Sequence, residues 1–193
     1  MDMITPGDGQ PDPLPCWHCG AGVAARALFC HQCGAIQPPG DVDPFTRLGL
    51  APSFEIETSV LDRQAAGFTR ILDPARFAAR GEEAQAIAAR QRDALAHAIA
   101  SLRDPAARAR ALLTLADAAP AKPANGGAWE LRLAVATDGT ALTRLVAEVK
   151  TDMQAELRLL LDAFRLRDLA LAATRLRRVE EMALALATTE KRR

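Results

Sequence analysis

The sequence predicts an all-α protein preceded by a small tetracysteine unit. Three observations carry that expectation. All four cysteines fall in two Cys-x-x-Cys pairs within the first 33 residues. Alanine, leucine and arginine dominate the remainder, aromatics make up only 4% and tyrosine is absent. That composition favours helices cored by small and branched aliphatic side chains. Asp-Pro steps at Asp43, Asp73 and Asp104 cut this remainder into helix-length segments, since Asp suits an N-cap and Pro cannot continue a helix interior.

Residues 1–15 are rich in Pro, Gly and Asp and are expected to form a disordered tail. They carry Asp2, Asp8 and Asp12 without Lys or Arg. A secretory signal needs a basic start and an apolar run, and a transit peptide needs arginines. No apolar stretch approaches the length of a membrane span. The expectation is a cytoplasmic protein, where a Cys-x-x-Cys pair more often holds metal than a disulfide.

Residues 16–36 form the expected metal-binding unit. Cys16-Trp17-His18-Cys19-Gly20 and Cys30-His31-Gln32-Cys33-Gly34 stand ten residues apart. A two-residue spacer lets both sulfurs of a pair turn toward one point, and two such knuckles close a tetrahedral thiolate site of the kind zinc accepts. Gly20 and Gly34 supply the backbone freedom for each sharp turn. Iron in the same sulfur cage is the other metal reading; two disulfides or free thiols are the readings without metal. A unit of about twenty residues buries too little apolar surface to fold alone, so the metal must supply most of the folding energy. His18 and His31 read as exposed spacers, because four thiolates fill the shell.

Gln37-Pro38-Pro39-Gly40 reads as a linker. The first helical block, residues 43–118, begins with a short helix from Asp43-Pro44 through Leu48. A second helix starts near Ser59, with Asp62 as a weak capping box. Val60, Leu61, Ala65, Phe68 and Leu72 recur at helical spacing, and Asp73-Pro74 stops it. A long helix follows from Glu82 to Leu102, with Ala84, Ile87, Ala88, Gln91, Leu95, Ala98, Ile99 and Leu102 on one stripe. Gln91 alone interrupts that stripe. Asp104-Pro105 opens another helix bearing Leu112, Leu113 and Leu115. An antiparallel helix pair flanked by short helices would share one core.

Pro120 to Pro123 and Asn125-Gly126-Gly127 mark a second break. The second block, residues 128–190, carries Leu142, Leu145, Val146, Val149, Met153, Leu157, Leu160, Leu161 and Phe164 on one face. After a turn at Arg165 to Asp168, Leu169, Ala172, Leu176, Val179, Ala183 and Leu186 make the returning stripe. This is the three-and-four spacing of a helical hairpin. Its arginines read mostly as a solvated face, and no internal repeat is evident.

Lys plus Arg (24) balances Asp plus Glu (24), so no overall field draws the chain to nucleic acid or anionic lipid. A nucleic-acid-binding ribbon at the cysteines is disfavoured by the few basic residues beside them. Neither a Ser-His-Asp candidate nor a phosphate-binding loop is present, and His97 is the sole histidine outside the knuckles. The expectation is a protein without enzymatic activity. A redox role for the Cys-x-x-Cys pairs is secondary to metal binding.

The order of motifs resembles one family. Cysteine knuckles are followed by Asp43-Pro44-Phe45-x-x-Leu48-Gly49 and a helix. A Pro-containing loop then ends in Arg76-Phe77. After the long helix come Leu102-Arg103-Asp104-Pro105-Ala106-Ala107-Arg108-Ala109 and Leu112-Leu113. Over residues 16–188 the chain resembles HscB, the J-domain co-chaperone of iron–sulfur cluster assembly, in its metal-binding form. The resemblance implies a J-domain-like block that docks on a DnaK- or HscA-type ATPase chaperone. It also implies a C-terminal helical bundle that binds the iron–sulfur scaffold protein. The chaperone-facing residues it implies are Arg63, Arg70, Asp73, Pro74, Ala75 and Arg76.

The chain departs from the family at the loop. HscB carries His-Pro-Asp there, whereas this chain has Asp73-Pro74-Ala75. Ala75 cannot accept the charge-assisted hydrogen bonds an Asp would make. Asp73 stands two residues early, up to about 7 Å along an extended chain. The alternative to a stimulating co-chaperone is therefore a diverged, J-like, zinc-carrying interaction protein that does not stimulate the ATPase. The implied scaffold-binding residues are Trp129, Glu130, Leu131 and Arg132. Asn125-Gly126-Gly127-Ala128 replace the apolar residues the family shows upstream, and Arg178 stands where it often has an aromatic. Trp129 reads either as a partner anchor or as a plug between the two helical blocks.

Overall fold

In the computed structural model, residues 13–136 and 138–191 are described. The expected tail falls outside them through residue 12. Leu14 and Pro15 are not tail: they form strand β1 (Leu14–Pro15), which pairs antiparallel with β2 (Gly22–Val23) in the register Leu14 to Val23. The remaining regular elements are helices: α1 (Pro44–Leu48), α2 (Thr58–Ile71), α3 (Glu82–Arg103), α4 (Pro105–Leu115), α5 (Gly127–Ala134), α6 (Gly139–Arg165) and α7 (Leu169–Glu190). Among the described residues no strand follows Val23, as an all-α fold requires.

The Asp-Pro steps act as read. Asp43 accepts the backbone N–H groups of Phe45 and Thr46 at 2.8 and 3.0 Å and caps α1. Asp104 accepts from Ala107 at 2.7 Å and caps α4. Each satisfies donors that the first helical turn leaves without an intrahelical partner. α2 ends at Ile71, ahead of Asp73-Pro74, and two short 3-10 turns, Pro74–Arg76 and Ala78–Arg80, lead into α3.

The chain divides into two compact units that do not coincide with the expected 43–118 and 128–190 blocks. The first comprises residues 1–51 and 59–99, the second residues 52–58 and 100–193. In the first, the tetracysteine unit belongs with α1, α2 and most of α3. Phe45, Leu48, Leu61, Leu72 and Phe77 are buried there, and so are Ala84, Ile87, Ala88, Gln91, Leu95 and Ala98 along α3. The predicted linker is part of this unit: Gln37 and Gly40 are buried, and the Arg47 guanidinium donates to the Gly40 carbonyl at 2.6 Å.

In the second unit, α7 contacts α4, α5 and α6. It serves two cores in succession. Ala172 and Leu176 pack with Ala109 and Leu113 of α4, Leu160 and Ala163 of α6, and Phe54. Met182 and Ala185 pack with Leu133 of α5 and Val149 of α6. The buried face of α7 consequently passes from Ala172, Leu176 and Val179 to Met182, Ala185 and Thr189, whereas the predicted Ala183 and Leu169 are exposed. Leu115, expected in the α4 stripe, is also exposed. At the start of α5 the chain runs so close to α7 that a Cβ on Gly126 would lie 2.7 Å from the Ala185 backbone.

Candidate metal centre

Each cysteine knuckle is built by the same short-range bonds. The N–H of Gly20 reaches the Cys16 carbonyl at 2.8 Å, and that of Gly34 reaches Cys30 at 2.9 Å. Both glycines have φ near +70° (75° and 70°), a conformation that costs other residues a steric penalty. The Cys16 and Cys30 N–H groups return to Ala21 and Ala35 at 2.8 Å. The N–H groups of His18 and Gln32, two residues beyond each first cysteine, point at its sulfur at 3.4 Å. The pairing of Pro15 with Gly22 recurs as that of Phe29 with Ile36, an offset of 14 residues in both partners. The metal unit is thus a local repeat, which corrects the reading that the chain has none. Its signature was Cys-x-x-Cys-Gly-Ala, present at Cys16 and again at Cys30.

The two knuckles close on one point. The Sγ atoms of Cys16 and Cys33 lie 3.7 Å apart, as do those of Cys19 and Cys30, and all four lie within 4.8 Å of one another. A tetrahedron with Zn–S bonds of ~2.3 Å has edges of about 3.8 Å. All four cysteines are free thiols. Four soft sulfur donors in this arrangement fit zinc, or iron in a sulfur cage; the centre can hold a metal ion. Cys16 and Cys30 are buried and Cys19 and Cys33 exposed. His18 and His31 are exposed, outside the sulfur cluster.

The sulfurs are electrostatically unequal. Burial pushes the Cys16 thiol up, but the backbone N–H groups of Cys19 and His18, the Gln37 amide and Cys33 together outweigh it and bring the group down to about 6. At Cys33 the Ala35 backbone favours the thiolate. Burial and the neighbouring sulfurs of Cys19, Cys30 and Cys16 prevail there and push it up to about 12. Four thiolates cannot gather without a compensating cation, which is what a bound divalent metal supplies.

Contacts within the first unit tie the centre to the helices. The indole of Trp17, in the first knuckle, donates to the Ile36 carbonyl beyond the second at 2.6 Å. Phe29 stacks on Phe77 with ring centroids 6.5 Å apart. Arg80 lies over Phe77 and donates to the Gly34 carbonyl at 3.4 Å. Gln91 donates to the Gln37 carbonyl at 2.8 Å. Sequence reasoning missed Gln37, taken for linker, and noticed Gln91 only as the polar break in an apolar stripe.

The other predicted site residues fall in two places. Arg63 and Arg70 are exposed on α2, and Asp73, Ala75 and Arg76 are exposed in the connection to α3. The Asp73 carboxylate accepts the N–H of Ala75 at 3.0 Å and so closes its own turn. Arg70 and Asp73, but neither Arg63 nor Arg76, line a cavity of about 710 Å³ with Phe68, Arg92, Leu95 and Ile99. Trp129, Glu130, Leu131 and Arg132 lie on α5. Trp129 is half-buried within the second unit's own core, with the Arg132 guanidinium 4.0 Å above its ring. Leu131 is 72% exposed. Glu130 caps α5 by accepting the Gly126 N–H at 2.7 Å, and Arg132 pairs with Glu148 at 3.0 Å. Trp129 and Arg178 line one cavity of about 410 Å³.

No family model matches the chain, and no curated protein matches it in sequence. Solved structures do. The crystal structure of the human co-chaperone protein HscB aligns with a TM-score of 0.72 at 20% identity, covering 93% of this chain and 98% of that one. The chaperone HscB from Vibrio cholerae aligns with a TM-score of 0.62 at 23% identity, covering 78% and 96%. An all-α chain with a tetracysteine centre ahead of its helices, matched over nearly its whole length, has the HscB fold.

Proposed function

We propose that the protein is an HscB-like co-chaperone, a non-enzymatic cytoplasmic adaptor. It docks on a DnaK/HscA-type ATPase chaperone and binds an iron–sulfur scaffold protein during cluster assembly. The observation that carries this reading is the extent of the fold match, 93% of this chain against 98% of the human co-chaperone. Arg63, Arg70, Asp73, Pro74, Ala75 and Arg76 form the chaperone-facing set. Its support is their grouping along α2 and the turn that follows it. Trp129, Glu130, Leu131 and Arg132 form the scaffold-facing set, for which the exposed Leu131 offers apolar surface. Zinc is the metal of the tetracysteine centre, because its closed shell accepts four thiolates in a structural role.

A second reading is favoured by the loop. Asp73 spends its carboxylate on the Ala75 N–H, and Ala75 offers a methyl group. A protein of this kind would bind its partners without stimulating ATP hydrolysis. Steady-state ATP turnover by the cognate chaperone decides between them. The first reading expects several-fold acceleration on adding this protein with the scaffold. Unchanged turnover with scaffold binding intact establishes the second, and Asp73→His combined with Ala75→Asp is then expected to restore acceleration.

A further inference from the structure

Among the described residues Gln37 and Gln91 are the two buried glutamines of the first unit, at 5% and 3% exposure, and they lie in series. The Gln37 side-chain nitrogen donates one hydrogen to the Cys16 sulfur at 3.3 Å and the other to the Ala35 carbonyl at 2.8 Å. The Gln37 backbone N–H is held by the Leu28 carbonyl at 2.8 Å. Its backbone carbonyl then accepts the Gln91 side-chain nitrogen at 2.8 Å. Both amide orientations are fixed by chemistry, because each nitrogen faces only acceptors. The series runs from a metal-ligating sulfur, through one residue, to the buried face of α3.

Packing alone gives no reason for Gln91. Its neighbours along the stripe are Ile87, Ala88 and Leu95, all buried, and its amide oxygen has no hydrogen-bond partner among the described residues. An apolar residue of the same size would avoid that desolvation cost. Among the described residues, the hydrogen bond that the Gln91 side chain makes is to Gln37, whose own amide reaches Cys16.

We infer that Gln37 and Gln91 form a buried relay that positions the Cys16 thiolate and makes metal occupancy and the order of α3 one equilibrium. Gln37 stabilises the charged sulfur, as donors behind metal ligands do. Gln91 holds Gln37 in place. By linkage, a metal ion that orders the knuckles also orders the α3 backbone around residue 91, and loosening α3 weakens the metal. This inference rests on the metal reading of the four cysteines and goes beyond the co-chaperone proposal.

The test uses the full-length protein, with Zn(II) affinity measured against a competing chromophoric chelator. Co(II) reports on the sulfurs, and amide hydrogen exchange reports on α3. Gln37→Met removes the donor to Cys16 but keeps the backbone carbonyl for Gln91. Gln91→Met keeps the donor and removes the tie. Each is expected to weaken metal binding about ten- to a hundredfold, with the double variant no weaker than the weaker single. Gln37→Met should also shift the Co(II)–thiolate charge-transfer band. In the wild type, stripping the metal should raise exchange in α3 around residue 91 at least tenfold, and in Gln91→Met this difference should vanish. Metal-free Gln91→Met should melt no lower than metal-free wild type, an outcome a merely structural glutamine would not give. Affinities within twofold of wild type, or wild-type α3 exchange indifferent to metal, overturn the relay. Should Gln91→Met lose its helicity, the Gln37→Met affinity and the wild-type exchange comparison decide. A wild-type protein that binds neither metal overturns the metal reading and the relay with it.

Discussion

The Cys16 sulfur is surrounded by donors: two backbone N–H groups, an amide and a neighbouring thiol counter the effect of its burial. Its folded-state pKa of about 6 lies below that of an unfolded cysteine, ~8.5. The thiolate's contribution to stability is therefore complete above the ordinary cysteine range and is lost as pH falls through about 6. Metal-free protein titrated while thiolate absorbance is followed should show a first step near 6, well ahead of Cys33; an onset confined to the ordinary cysteine range would refute the donor arrangement. Arg110 is held by hydrogen-bond geometry as well as by charge. Its guanidinium grips both carboxylate oxygens of Glu180 and the Pro120 carbonyl at 2.9 Å, with the ion-pair side chains only 20% and 18% exposed. Arg110→Ala strands Glu180, and a loss of ~2 kcal/mol in chemical denaturation is expected; a change under ~0.5 kcal/mol would class the pair with ordinary surface bridges.

At the scale of elements, what the sequence discloses depends on how far away the determining partner lies. α1 and α4 were legible because an Asp cap and a Pro at the first helical position are local chemistry. The α3 stripe was legible because Ala84 to Ala98 all lie in one unit and recur at helical spacing. α7 was legible in its middle, at Ala172, Leu176 and Val179, and less so beyond: its partners change from α4 and Phe54 to α5, and the face shifts from the expected Ala183 to Met182 and Ala185. Arg175 falls among the arginines read mostly as a solvated face, yet it pairs with Glu156 at 3.1 Å; the partner of Arg110, Glu180, lies 70 positions on, beyond the reach of any local pattern. The tetracysteine site was legible from spacing alone. The burial of Gln37 was not, because it is set by a partner 54 residues distant. Two element-scale predictions follow from the two cores. Leu113→Ala, at a site with no exposure, should cost about 2–5 kcal/mol in denaturant unfolding. Gly126→Ala should destabilise the α5–α7 packing, because its methyl group meets the Cβ and backbone of Ala185, none of which can swing aside, and faster hydrogen exchange in α5 would report it.

For the molecule as a whole, folding energy has two sources. The second unit has two apolar cores of its own, whereas among the described residues the small cluster around the sulfurs consists of Val23, two cysteines and three partly buried alanines, with Ile36 buried beside it. Chelating the metal should therefore lower the unfolding free energy of the first unit and leave that of the second within ~0.5 kcal/mol of its starting value; equal losses in both would mean that the metal supports the entire chain. Among the described residues no helix is long and apolar enough to cross a membrane.

The chain also passes between its two units more than once. Residues 52–58 belong with 100–193, and Phe54 stacks on Phe164 at 4.8 Å while Glu55 pairs with Arg165 at 2.8 Å. A chimera joined at the Pro120 to Pro123 break would sever this strap from its anchorage. Recombination at any single crossover point thus separates residues that need each other, so an exchange of halves with a distant homologue has to carry two grafts or none.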